Sequence, residues 1–197
     1  MIHINEIFPL FVATYTSEAD LVPILAACLG MEQQLDSVAK SNVGGWQSPE
    51  IELTSAPFDV LIPNILGCLQ GVVNYGKLNN GYTLMNSWIN INRAACNNAP
   101  HVHPDSTISG VVYINVPQDS GKIRFLNPAR VAIASYIDSP QHQDDKAQGP
   151  FSEVWEHEPV AGEILLFPSW LEHYVENNNN ADGEPRVSIA FNIKVHE

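Results

Sequence analysis

A chain of 197 residues with a formal net charge of −13 is long enough for one domain with a full core and short for two. At 45% hydrophobic and 16% charged residues the composition argues against disorder. The nine Lys and Arg are spread singly, which argues against nucleic acid or an anionic membrane surface as a partner.

The cysteines, Cys28, Cys68 and Cys96, are odd in number, far apart and without a CxxC pair. They read as buried, reduced thiols of a cytoplasmic protein. No apolar run approaches the roughly 18 residues needed to cross a bilayer. The opening "MIHINEIFPLFVATY" carries an acidic residue and no basic cluster, unlike a signal peptide.

In chain order, residues 5–15 read as a strand and 16–35, "TSEADLVPILAACLGMEQQL", as a helix. Thr16 or Ser17 would cap it, with Asp20 in the first turn, and Pro23 is tolerable near its start. Residues 55–78, "SAPFDVLIPNILGCLQGVVNYGKL", place Val60, Leu61, Ile65, Leu66, Cys68 and Leu69 at helical spacing. From residue 82 the period changes: "YTLMNSWININR" alternates, with Leu84, Asn86, Trp88, Asn90 and Asn92 on one face. Short β-rich segments follow, "SGVVYINVP", "GKIRFLNP", "SEVWEHEP", "GEILLFPSW" and "RVSIAFNIKV", separated by turn signals such as "PQDSG" and "NNNNADGEP".

The pattern predicts a mainly β protein with N-terminal helices. An antiparallel double sheet over about 82–197 would rest on helical support over about 16–80. No repeat or linker divides residues 1–197, so they read as a single domain. The stretch 127–151 is weak in either period, and a loop of that length in a small domain suits a lid over a site.

The chemistry concentrates in "APHVHPDSTISGVVYIN", residues 99–115. In extended chain His101, His103 and Asp105 alternate and project from one face. Two of them suffice to hold a metal from one side. The third ligand would be His173, delivered by "GEILLFPSWLEH". Two histidines and a carboxylate on one face of an iron leave three positions for a bidentate co-substrate and O₂. Arg186 and Ser188 share a face in "RVSIAF", and an arginine fork matches the far carboxylate of a dicarboxylic co-substrate.

Pro104 offers a second arrangement, because "HPDS" also reads as a tight turn. Then His101 and His103 would both face the metal and Asp105 would be a turn residue. Both arrangements share His103 and His173. The remaining histidines, His3, His142, His157 and His196, read as surface or hydrogen-bonded residues, and "QHQDDK" as a solvated loop. Trp88, Trp155 and Trp170 read as core, with Trp170 close enough to His173 to wall a pocket.

In "HVHPDSTISGVVYIN", "GEILLFPSWLEHYVEN" and "RVSIAFNI", and more loosely in "EIFPLFVATY", the chain resembles the 2-oxoglutarate/Fe(II)-dependent oxygenases. Within them it is similar to a branch found in phages and marine bacteria. The resemblance implies a double-stranded β-helix, the jelly roll, with iron at one open end. It implies a dioxygenase that converts 2-oxoglutarate and O₂ to succinate and CO₂ while hydroxylating a substrate, with ascorbate as an accessory reductant. By this resemblance His103, Asp105 and His173 are the catalytic metal ligands, with His101 as the alternative. Arg186 and Ser188 would bind the C5 carboxylate of 2-oxoglutarate, and Tyr113 or a polar residue of the Asn90–Asn92 strand would add a hydrogen bond.

The substrate class is open between a peptidyl side chain, such as proline, and a small metabolite. Self-association into a homo-oligomer is left open as well. A second reading is a cupin-like, non-oxidative jelly roll, an isomerase or a ligand-binding module. Arg186 with Ser188 separates the two, since only the oxygenase requires that anchor.

Overall fold

Strands such as "GVVYI" and "EILLFP" are apolar at nearly every position, which marks a sheet covered on both faces. The computed structural model describes residues 3, 8, 10–78, 81–136, 149 and 151–196, and it has that sheet. In chain order the elements are β1 (Ala13–Thr16), α1 (Leu21–Gln34), β2 (Asn42–Val43), β3 (Trp46–Gln47), α2 (Ile62–Gly76), β4 (Tyr82–Asn92), β5 (Asn97–His101), β6 (Ile108–Asn115), β7 (Ile123–Leu126), α3 (Arg130–Tyr136), β8 (Val154–His157), β9 (Glu163–Pro168), β10 (His173–Val175) and β11 (Arg186–Val195).

They form a six-stranded sheet ordered β1-β9-β6-β11-β4-β3 and a five-stranded sheet ordered β2-β5-β10-β7-β8. Pairing within both is antiparallel. This is the jelly roll with helical support that the sequence predicts.

Alternation along the long strands sorts side chains into two cores. Val112, Ile114, Ile164, Leu166, Ile189 and Phe191 pack outward beneath Ile24 and Cys28 of α1 and Ile65, Leu69 and Val72 of α2. Their neighbours Val111, Tyr113, Leu165 and Phe167 turn inward and meet Ile123, Phe125 and Leu171. Gly110 makes room for its cross-strand neighbours on the helix-covered face: a Cβ there would stand 2.3 Å from Phe191 Cζ and 2.6 Å from Leu166 Cδ2.

Several expected details shift. The cap of α1 is Asp20, whose side chain accepts from Val22 N–H, rather than Thr16 or Ser17. Residues 58–61 form a 3₁₀ turn ahead of α2, so Leu61 is buried while Val60 is 48% exposed. Leu66 faces outward too, and Val72 and Val73 complete the buried stripe. In β4, Asn86 pairs with Asn192 but Leu84 with Ile193, so Met85 is an extra residue. That bulge moves Leu84 off the face of Trp88, Asn90 and Asn92 and onto the helix-covered core.

The expected strand at 5–15 is observed only from Ala13, and residues 5–7 and 9 lie outside the described residues. In the stretch 127–151, Arg130–Tyr136 is helical, while 137–148, with His142 and "QHQDDK", lie outside the described residues. Among the described residues no helix is long and apolar enough to cross a membrane. The cysteines are free and buried, and burial pushes the thiols of Cys28 and Cys68 up to about 12 and about 11.

Candidate active site

Antiparallel pairing of β5 with β10 sets His101 opposite His173, so the two rings emerge side by side on the inner face of the smaller sheet. β5 ends at His101, and two residues on His103 is tied down by its own N–H, which donates to Ser169 O at 2.9 Å. The ligand atoms of His101, His103 and His173 all lie within 4.8 Å of one another. Ring centroids stand 4.3 Å apart for His101–His173, 4.9 Å for His101–His103 and 5.2 Å for His103–His173.

Asp105 is outside this cluster. The chain turns at Pro104–Asp105, Asp105 takes a left-handed φ of 68°, and its side chain is exposed. Its carbonyl accepts from Lys194 Nζ. The extended-chain reading fails because proline carries the chain into a turn after His103, which sends the carboxylate away from the rings.

The hydrogen bonds decide which nitrogen of two rings is free. His101 Nδ1 lies 2.8 Å from Ala99 O, and His173 Nδ1 lies 2.8 Å from Leu171 O. A carbonyl only accepts, so each Nδ1 carries the proton and donates. The Nε2 lone pair of both rings is left for a ligand. Burial, reinforced by the neighbouring His101 ring, pushes His173 down to about 3 and His103 to about 4. Burial also lowers His101, against the opposing pull of the Ala99 carbonyl. All three are neutral at pH 7, the form that binds a metal.

The histidines line a cavity together with Asn90, Asn98, Tyr113, Arg186 and Ser188. Arg186 is 2% exposed. Its Nη1 donates to the carbonyls of Ser120, Gly121 (3.4 Å) and Glu176 (3.2 Å), whereas Nη2 is buried without a partner. A buried guanidinium nitrogen left unpaired is costly, and it calls for an anionic acceptor in the cavity. Gly121 shapes the cradle: at φ 90°, an added Cβ would stand 2.6 Å from Asn177 O, 2.8 Å from Glu176 O and 3.0 Å from Arg186 Nη1.

In β11, Val187, Ile189 and Phe191 face the helices, which turns Arg186 and Ser188 inward, a choice the sequence left open. Tyr113 is opposite Ser188 in register, and burial raises its hydroxyl above the ordinary range, so it remains a donor. Asn92 does not line the cavity. Its Nδ2 donates to Asn98 Oδ1 and its carbonyl accepts from Asn178 Nδ2, a structural placement.

Of the expected residues, the fold brings together His101, His103, His173, Tyr113, Arg186 and Ser188. Trp88, expected in the core, is half-buried and lines the cavity, whereas Trp170, the expected wall, is 58% exposed and lines nothing there, and Trp155 is exposed rather than core. Asn98 was missed because "NNAPH" has no strand signature, although Asn98 is a buried member of β5. The Ala99 and Leu171 carbonyls were missed because a backbone acceptor two residues before a histidine has no residue-type signal.

The family model described as "Putative 2OG-Fe(II) oxygenase" matches residues 86–192, more than half of the chain and the span that holds all of these residues. No protein of curated function matches the chain in sequence. Among solved structures, a Pseudomonas putida prolyl-4-hydroxylase is similar at TM-score 0.61 and 19% identity, covering 94% of this chain and 93% of that one. A viral collagen prolyl hydroxylase from Paramecium Bursaria Chlorella virus-1, in complex with 2-oxoglutarate, gives 0.58 and 10% over 94% and 96%. HygX from Streptomyces hygroscopicus, with nickel and 2-oxoglutarate bound, gives 0.59 and 11% over 94% and 83%. At these identities the structural likeness concerns the fold.

Proposed function

We propose a function on the premise that this chain belongs to the 2OG-Fe(II) oxygenase family: it hydroxylates a C–H bond of its substrate with the iron held by three histidines. His101, His103 and His173 are the ligands in this reading, and Arg186 anchors 2-oxoglutarate. The observation that carries the reading is the pairing of two features in one cavity. One is a set of neutral histidine nitrogens within 4.8 Å of one another, and the other is a buried Arg186 Nη2 with no protein partner. The donor set fits a divalent metal, and imidazole suits iron among others. The orphan guanidinium fits a carboxylate.

Iron bound there supplies the oxygen chemistry of the family, with 2-oxoglutarate giving succinate and CO₂. The protein's own part is positioning. The Ala99 and Leu171 carbonyls fix the tautomers that aim Nε2 of His101 and His173 inward. Arg186 takes the distal carboxylate, while the Tyr113 and Ser188 hydroxyls beside it donate to the same group. Phe167, Val111 and Ile123 give the cavity an apolar wall. A non-oxidative jelly roll would give no reason to bury an arginine with one nitrogen unpaired.

The test is whether metal and 2-oxoglutarate bind together and are consumed. Purified protein with Fe(II), ascorbate and 2-oxoglutarate in air is expected to form succinate slowly without a substrate, and the His173→Ala variant none. A preparation that holds iron and binds 2-oxoglutarate yet makes no succinate above the enzyme-free control would sink the proposal.

A further inference from the structure

A second hollow of about 630 Å³ opens beside the cavity of Arg186 and shares Trp88, His101 and His103 with it. Its far wall is the 38–50 segment, including Gln47 of the edge strand β3. Anything lying in this cleft reaches the histidines without entering the cavity of Arg186.

The strand registers place four polar side chains in one row. Tyr113 pairs with Ser188, Ser188 with Asn90, and Asn90 with Gln47. Residues directly opposite share a face, so the row runs across β6, β11, β4 and β3 from the cavity to the cleft. Tyr113, Ser188 and Asn90 line the cavity and Gln47 lines the cleft. The last two residues of the row are buried, Gln47 at 6% and Asn90 at 8% exposure. Gln47 Oε1 and Asn90 Oδ1 are both without a hydrogen-bond partner. Native proteins seldom leave such atoms unpaired, and here the two belong to directly opposed residues of adjacent strands, whose backbones in a sheet lie about 4.8 Å apart.

We propose that the primary substrate places an uncharged carboxamide NH₂ group between Asn90 and Gln47, an inference that rests on the oxygenase reading above. Two acceptor oxygens ask for two protons, which a carboxamide nitrogen has and a single hydroxyl lacks. A carboxylate or phosphate would set its lone pairs against those of the two oxygens. An ammonium would be stripped of water with no buried carboxylate to receive it, because the charged residues of the cleft, Lys40 and Glu50, are exposed at its rim. The Trp88 ring, next to His103 at a centroid distance of 5.6 Å, supplies an apolar face for the rest of the substrate. The carboxamide comes from an Asn or Gln side chain of a peptide or from a free small amide.

The experiment titrates matched pairs of probes, without O₂, into the protein loaded with Zn(II) and 2-oxoglutarate. One arm uses a capped hexapeptide pool with central Asn or Gln against the same pool with Asp or Glu. The other uses N-acetylglutamine methylamide against its glutamate counterpart. In at least one arm the carboxamide is expected to bind tenfold or more tightly than the acid, and the arm that responds identifies the source. Gln47→Met, with its fold checked by circular dichroism, should bring that ratio towards one, and Gln47→Asn should retain part of it. Equal binding, tighter binding of the acids, or no binding in either arm to a protein holding both Zn(II) and 2-oxoglutarate overturns the proposal. Failure to hold Zn(II) or 2-oxoglutarate overturns the oxygenase reading itself, and this inference with it.

Discussion

Replacing Arg186 by Met removes the guanidinium while keeping most of the stem's volume, and it acts on two things that can be measured apart. The first is the co-substrate. Nη2 is unpartnered in the protein, and in the proposed function a carboxylate of 2-oxoglutarate is its missing acceptor. Removing one side of a buried charged pair leaves the other charge unpaired, at a cost of about 3–5 kcal/mol. That corresponds to a loss of roughly two to nearly four orders of magnitude in 2-oxoglutarate affinity. The second is stability. Nη1 is the donor to the carbonyls of Ser120, Gly121 and Glu176, and each orphaned acceptor costs on the order of 1 kcal/mol. Calorimetric titration of 2-oxoglutarate into the metal-loaded variant reads the first effect, and a melting curve reads the second. Arg186→Lys should fall between, because it keeps the charge and loses the fork. A folded, metal-loaded Arg186→Met protein that binds 2-oxoglutarate within threefold of wild type would refute the anchor.

Three further outcomes follow from the same geometry. His101→Ala should lose Fe(II) binding under anaerobic titration while Asp105→Ala keeps it, and the reverse result would restore the carboxylate as third ligand. Gly121→Ala forces a Cβ onto the Glu176 and Asn177 carbonyls at a left-handed φ, so KM for 2-oxoglutarate should rise about tenfold or more with metal affinity unchanged. An unchanged KM would free the turn from any role in holding Arg186. The ring pKa values of about 3 for His173 and about 4 for His103 lie below the ordinary 6.5, so protons compete for these two nitrogens only in acid. With His101 lowered as well, metal affinity should begin to fall only below the ordinary imidazole value, and a drop centred near 6.5 would contradict it. The sign for folding is the same: neutral buried His173 contributes stability that is complete above about 6.5 and lost as pH falls towards 3.

Where a side chain's face follows from period alone, the sequence was readable. The β-rich runs "GVVYIN" and "RVSIAF" predict strands, and packing against α1 and α2 then settles which half of each faces in. Legibility stops where a single residue resets the phase. Pro104 does so after His103, ending the alternation that would have carried Asp105 to the metal. The extra residue Met85 does so in β4, sending Leu84 to the opposite face from Trp88. Short strands were lost for a different reason. β5, with Asn97, Asn98 and Pro100, has poor intrinsic β preference, and its pairing with β2 and β10 holds it in place.

That last point bears on why three histidines are the proposed ligand set. His101 can serve because β5 is paired on both sides, so its terminal residue is fixed opposite His173 and its Nδ1 is tied to Ala99 O. His173 opens β10 with the same tie, to Leu171 O, so the two rings are oriented by identical backbone devices on neighbouring strands. Asp105, on an exposed turn, has no such restraint, and ordering its carboxylate toward the metal would require undoing the left-handed turn that also presents its carbonyl to Lys194. A ligand on a rigid strand with a fixed tautomer costs less to organise than one on a turn. On the proposed function, the energetics of the scaffold therefore weigh for the third histidine against the usual preference of iron for a carboxylate.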